Sequence, residues 1–347
     1  MNSKLAQLDI PRLTDYLTGK VKGFSGPVTA EKFTGGQSNP TFLLRASSGN
    51  YVLRRQPPGQ LLKSAHAVDR EFRVLEALAD TDVPVARAIH LCEDQDIIGS
   101  MFFVMSFEQG RIFWDPALPA LDLEQRAAYY ESILKGMAAL HDVDVAAVGL
   151  SDFGRAGNYF ERQIGVWIKQ YRAAETGRLG AMEDLIEWLP AHCPAAEDRQ
   201  VLVHGDFRMD NLIFHPDNAN IIAILDWELS TLGSPLADLA YFCMCLRLPA
   251  DNFIPGLLGR SRNDVGVPDE AAMIDRYCEL RGIPRIRNWN FYLAFSFFRL
   301  AAIAQGVKRR AMDGNASSEQ AVQVAELVEP LAKMGIAAAF GGKVGLP

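Results

Sequence analysis

The sequence lacks the loops of two large enzyme classes. No GxxxxGK[ST] stretch and no GxSxG elbow occurs in its 347 residues, which argues against a P-loop enzyme and against a serine hydrolase. Cysteine is scarce and unpaired: five residues, an odd number, with no CxxC spacing. Neither a disulfide framework nor a thiolate zinc site is built that way, and reduced core thiols are expected. Basic charge is not in excess either. Thirty-five Lys and Arg stand against 42 Asp and Glu, a formal charge of −7, whereas a non-specific nucleic-acid binder needs a cationic face. The most apolar segment, 291–304, is interrupted by Arg299 and is too short to span a bilayer, so a buried helix is expected and membrane association is not. No basic stretch followed by an apolar core opens the chain, and a cytoplasmic protein is expected.

What is present falls into two parts. Residues 5–18 have helical spacing. From Pro27 onward short extended runs follow, VTAEKF, TFLLRA and YVLRR, punctuated by GGQSNP and SSGN; the latter reads as a hairpin turn. Helical periodicity returns over 63–78, and extended segments follow near 88–92 and 101–107. Beyond Gly110 the pattern is helical over 123–141, 158–176, 182–189, 271–280, 291–307 and 319–334, around one extended island at 201–227. The expectation is an α+β chain with a small antiparallel-sheet lobe at 1–106 and a larger helical lobe at 107–347, with the chemistry at their junction.

The island reads VLVHGDFRMDNLIFHPDNANIIAILDWE. An apolar strand delivers His204, Gly205 and Asp206; Asn211 follows five residues later; two short strands joined by a turn end in Asp226. A hairpin of that length folds Asp226 back towards Asn211. Hard cations such as Mg²⁺ take oxygen ligands, one or two from the protein and the rest from phosphates and water. A further carboxylate must orient an acceptor hydroxyl and accept its proton. The H-x-D-x-x-x-x-N spacing meets both needs, with Asp206 as base and Asn211 and Asp226 as metal ligands. His204 reads as a structural residue, and Asp238, opening an apolar helix, reads as an anchor for the Asp206 loop.

HGD, then N, then a strand ending in D resembles the signature of the aminoglycoside phosphotransferase and choline kinase group. The long stretches VLRRQPPGQLLKSAHAVDREFRVL, GNYFERQIGVWIKQYRAAET and LDWELSTLGSPLADLAY look like the kinase-like domain fused to certain acyl-CoA dehydrogenases. The resemblance implies a protein kinase-like two-lobe fold and an ATP-dependent phosphotransferase using Mg²⁺. In that plan Gly35, Gly36 and Ser38 cover the nucleotide phosphates, and Arg54 stands in the place of the kinase lysine. Glu71 holds Arg54, Met105 and Phe107 complete the nucleotide set, and Arg208 faces the transferring phosphoryl group. Arg55, on the opposite strand face, is expected to see solvent. The acceptor implied is a small molecule, a hydroxyacyl-CoA or hydroxy acid. A mild cationic excess over 151–180 suits an anionic acceptor, and a solvated helix face accounts for it nearly as well. The competing reading is an inactive module that binds nucleotide or acyl-CoA.

Overall fold

The computed structural model describes residues 8–33, 39–57, 67–196, 200–252, 254–313 and 319–341. In chain order the elements begin with α1 (Ile10–Lys20), β1 (Val28–Lys32), β2 (Thr41–Ala46), β3 (Gly49–Arg55), α2 (Val68–Leu78), β4 (Ala88–Cys92) and β5 (Phe102–Ser106). There follow α3 (Leu123–Asp142), α4 (Tyr159–Ala174), α5 (Gly180–Ala191), β6 (Val201–Val203), β7 (Leu212–Phe214), β8 (Ile221–Ile224) and β9 (Thr231–Gly233). The chain continues through α6 (Leu236–Leu246), α7 (Glu270–Arg281), α8 (Trp289–Met312), α9 (Glu319–Glu326) and α10 (Val328–Ala339).

These elements form two compact units. The first runs to Ile112 and includes Ala146–Leu150 and Asn211–Ser230; the second holds Phe113–Val145, Ser151–Asp210 and the chain from Thr231. In the first, five antiparallel strands lie in the order β1-β2-β3-β5-β4. Strand alternation sends Phe42, Leu44, Leu53, Phe102 and Val104 to one face, where Leu13 and Leu17 of α1 close over them. The other face carries Val52, Arg54, Phe103 and Met105, and α2 packs there through Phe72 on Phe103, ring centroids 5.9 Å apart.

Because both faces are covered, Arg55 does not reach solvent as its strand position suggested: it is only 2% exposed. Its guanidinium lies 5.6 Å from the Phe42 ring centroid and donates to the Ile98 carbonyl at 3.3 Å. The β7–β8 hairpin completes this unit, with Leu212 opposite Ile224.

The second unit is helical around α8, whose residues from Phe291 to Gln305 are mostly buried. Among the described residues no helix is long and apolar enough to cross a membrane. The segment expected as one helix over 319–334 is two, α9 and α10. Pro330 is the reason: inside a continuous helix it would lack a donor for the carbonyl of Glu326 and clash with it, so α9 ends there. Placed in the first turn of α10, the same proline is tolerated.

Candidate active site

The first unit gathers one cation among three carboxylates. Arg54 leaves β3 on the α2 face, where its Nε lies 2.8 Å from Glu71 Oε2. Its Nη2 lies 2.5 Å from Asp226 Oδ1 and 3.6 Å from Glu228 Oε2. Burial opposes the guanidinium's charge, yet the carboxylates of Glu71, Asp226 and Glu228 together hold its pKa above the ordinary value. Glu71 is buried too, and its Oε1 accepts from Asn39 Nδ2 at 2.8 Å. Burial pushes the Glu71 carboxyl up to about 7, against the pull of Arg54 and with the help of Asp226 and Glu228.

Asn211 and Asp226 stand at one end of the β7–β8 hairpin. The amide N–H of Leu225 donates to the Asn211 carbonyl at 2.8 Å, so the two residues flank the last backbone bond of the ladder. Asp226 turns the chain out of β8 in a left-handed conformation, φ 65° and ψ 66°, a region aspartate enters more readily than most residues. Trp227 pins the turn by donating Nε1–H to the Ile224 carbonyl at 3.0 Å. Met105 shares the sheet face of Arg54, opposite Val52, and Phe107 follows the end of β5. Gly35, Gly36 and Ser38 lie outside the described residues.

In the second unit, Asp206 stands on a loop whose backbone N–H groups are taken one by one. Those of His204 and Gly205 donate to Asp238 Oδ2 and Oδ1 at 2.6 and 2.8 Å. That of Asp206 donates to His204 Nδ1 at 3.1 Å. Gly205 makes this possible with φ +84°, a backbone glycine adopts without strain. Asp238 is fully buried at the start of α6. Burial alone would raise its pKa, but the hydrogen bond from His141, the nearby imidazoles and the Gly205 N–H hold it below the usual carboxylate range.

Behind it, His141 of α3 links Nε2 to Asp238 Oδ2 at 3.2 Å and Nδ1 to Tyr277 Oη of α7 at 2.7 Å. Burial lowers the His141 pKa; the neutral ring donates from Nε2 and accepts from the tyrosine. Arg208 bridges two carboxylates, Asp206 Oδ1 and Asp210 Oδ2, each at 3.2 Å.

Sequence reasoning named Arg54, Glu71, Asp226 and Asp238, and these make the contacts just described. It missed Asn39, Glu228, His141 and Tyr277. Glu228 was within reach, as the second acid of Asp-Trp-Glu; the others become neighbours only through tertiary packing.

The sequence matches the model of the phosphotransferase enzyme family (APH) over residues 29–328. The chain belongs to this family. It is 49% identical over 326 residues to acyl-CoA dehydrogenase family member 10 of Mus musculus, an overlap covering 93% of this chain and 30% of that protein. The chain spans less than half the length of the curated relatives it matches first, from 30% to 43%. Among solved structures, a putative aminoglycoside phosphotransferase from Ralstonia eutropha JMP134 is 44% identical with a TM-score of 0.88, covering 97% of this chain and 100% of that one. A thermostable aminoglycoside phosphotransferase APH(4)-Ia in ternary complex with AMP-PNP and hygromycin B shares the fold at 16% identity, with a TM-score of 0.60 over 95% and 99% of the two chains. The α+β, protein kinase-like fold expected from the sequence is the fold of this phosphotransferase.

Proposed function

We propose that this phosphotransferase is an ATP-dependent kinase of a small-molecule hydroxyl. The observation carrying this reading is Arg54, partly buried on the α2 face and bridging Glu71 and Asp226. A guanidinium fixed by one carboxylate and facing another is suited to nucleotide phosphates, which it binds as a planar fork. Asp206 orients the acceptor hydroxyl and takes its proton, and Arg208 faces the charge of the transferring group. By the family plan the nucleotide phosphates fall to Gly35, Gly36 and Ser38, and its adenine ring to Met105 and Phe107.

The residues present fit a magnesium ion. Three carboxylates within 3.6 Å of one guanidinium leave the neighbourhood net negative, and Asn211 and Asp226 offer oxygen donors only. Among the described residues no group of three or more His, Cys, Asp or Glu could hold a metal by itself. This suits an ion that takes few protein ligands and completes its shell with phosphates. Asn211 and Asp226 would hold it, and its charge would offset that developing on the phosphates.

Similarity to a relative named as an acyl-CoA dehydrogenase family member favours a hydroxyacyl-CoA or hydroxy acid as acceptor. An inactive module is disfavoured because base and both ligand residues are all retained. The test is ATP consumption across hydroxyacyl-CoAs, hydroxy acids, amino alcohols and aminoglycosides, with wild type and Asp206→Asn. Loss of the base is expected to slow turnover about 10²–10⁴-fold while nucleotide still binds; undiminished turnover in the variant would refute the assignment.

A further inference from the structure

Arg299 lies in the middle of α8 and is 6% exposed. Burying a guanidinium is costly unless it is paired, and the two less buried arginines of the site have their carboxylates, Arg54 three and Arg208 two. Arg299 has none among the described residues. Its neighbours are aromatic. The guanidinium carbon lies 5.5 Å from the ring centroid of Trp167 on α4 and 5.2 Å from that of Tyr241 on α6, and Nε is buried without a hydrogen-bond partner. Two ring faces stabilise a cation without neutralising it. They also hold the guanidinium plane and leave its N–H edge to bond something else.

Its position gives that edge a purpose. Tyr241 follows Asp238, the anchor of the Asp206 loop, by one turn of α6. A buried cation without a carboxylate therefore stands one aromatic ring away from the turn of α6 that holds the Asp206 loop. An acceptor whose hydroxyl is aligned by Asp206 would bring its own substituents towards this side of the unit.

We infer that Arg299, clamped by Trp167 and Tyr241, binds an anionic group of the acceptor, and that the kinase selects hydroxylated anions over neutral alcohols. The inference rests on the kinase reading and deepens it. The shared chemistry is an oxyanion held by a guanidinium, supplied either by the carboxylate of a free hydroxy acid or by a phosphate of its CoA thioester.

The experiment compares short- and medium-chain hydroxy acids, their CoA thioesters and their neutral amides as acceptors, in wild type, Arg299→Leu and Arg299→Lys. Wild type is expected to prefer the anionic member of each set; whether acid or thioester leads identifies the source of the anion. Arg299→Leu is expected to raise KM for the preferred anion about tenfold or more, the worth of a charged hydrogen bond, with KM for ATP unchanged and the amide unaffected. Arg299→Lys should retain part of the preference, and decides the matter if the leucine variant does not fold. Equal losses for anion and amide, or no wild-type preference, would overturn the inference.

Calorimetric titration of the same acids and thioesters into Asp206→Asn protein, with and without Arg299→Leu, separates the two readings. Binding that needs Arg299, together with no turnover of any acceptor by wild type, sinks the kinase reading and leaves the anion site standing. Turnover without dependence on Arg299 does the reverse.

Discussion

Arg54 Nη2 and Asp226 Oδ1 meet at 2.5 Å although 172 positions separate them in the chain. In the proposed kinase both act on the nucleotide, one on its phosphates and the other through a cation. Nucleotide phosphates drawn to Arg54 would compete with Asp226 for the same guanidinium edge.

Arg54→Met removes the cation and leaves Glu71 buried beside Asp226 and Glu228. Uncovering a buried carboxylate in this way costs about 3–5 kcal/mol, and urea unfolding is expected to show a loss of that order. Arg54→Lys keeps the charge but not the fork, and should retain most of the stability while raising KM for ATP.

Glu71 makes both stability and nucleotide affinity depend on pH. Its carboxyl rises from an ordinary 4.5 to about 7 in the folded protein. Between those values the folded state therefore holds a proton the unfolded chain has released. Stability contributed by this group is present in the acidic part of that window and is lost as pH rises through about 7. Ionised Glu71 is the form that pairs with Arg54, so KM for ATP should fall over the same rise. Glu71→Gln is expected to flatten both profiles; unfolding midpoints and KM for ATP from pH 5.5 to about 8 check it.

Asp238 touches no substrate in this scheme and acts through the loop it holds. Asp238→Asn presents an amide N–H₂ to at least one of the N–H groups of His204 and Gly205. An unsatisfied buried donor costs about 1–3 kcal/mol, and the displaced loop carries Asp206. The expected result is a fall in kcat of at least about tenfold with KM for ATP within twofold, measured under steady state. His141→Asn should give a smaller loss of the same kind.

How much of this was readable in the chain follows from how local each relationship is. His204, Gly205, Asp206 and Asn211 sit within one loop and Asp226 at the end of the next hairpin, so spacing alone brings them into one motif. The β2–β3 hairpin likewise follows from alternation and turn residues, but the strand order of the sheet does not. Arg55 shows where such reasoning stops. Strand periodicity tells which residues share a face, but not that α1 covers the second one. The same holds for His141 and Tyr277, which lie on α3 and α7 and join Asp238 only after these helices pack, whereas Asp238 itself was legible as the anchor of the Asp206 loop. Arg299 was visible as a charge in an apolar helix, but its two aromatic neighbours come from α4 and α6. The break between α9 and α10 was legible at Pro330 and overlooked because the apolar spacing continues across it.

The left-handed backbone of Gly205 has a bearing on control. Protein kinases usually carry arginine at this place in the loop, and a guanidinium is the kind of group that captures a phosphorylated segment and switches such enzymes on. A side chain here would be forced into a conformation only glycine takes easily, so the position has no hook for a covalent signal. Control through an arginine at this one position is closed to this chain.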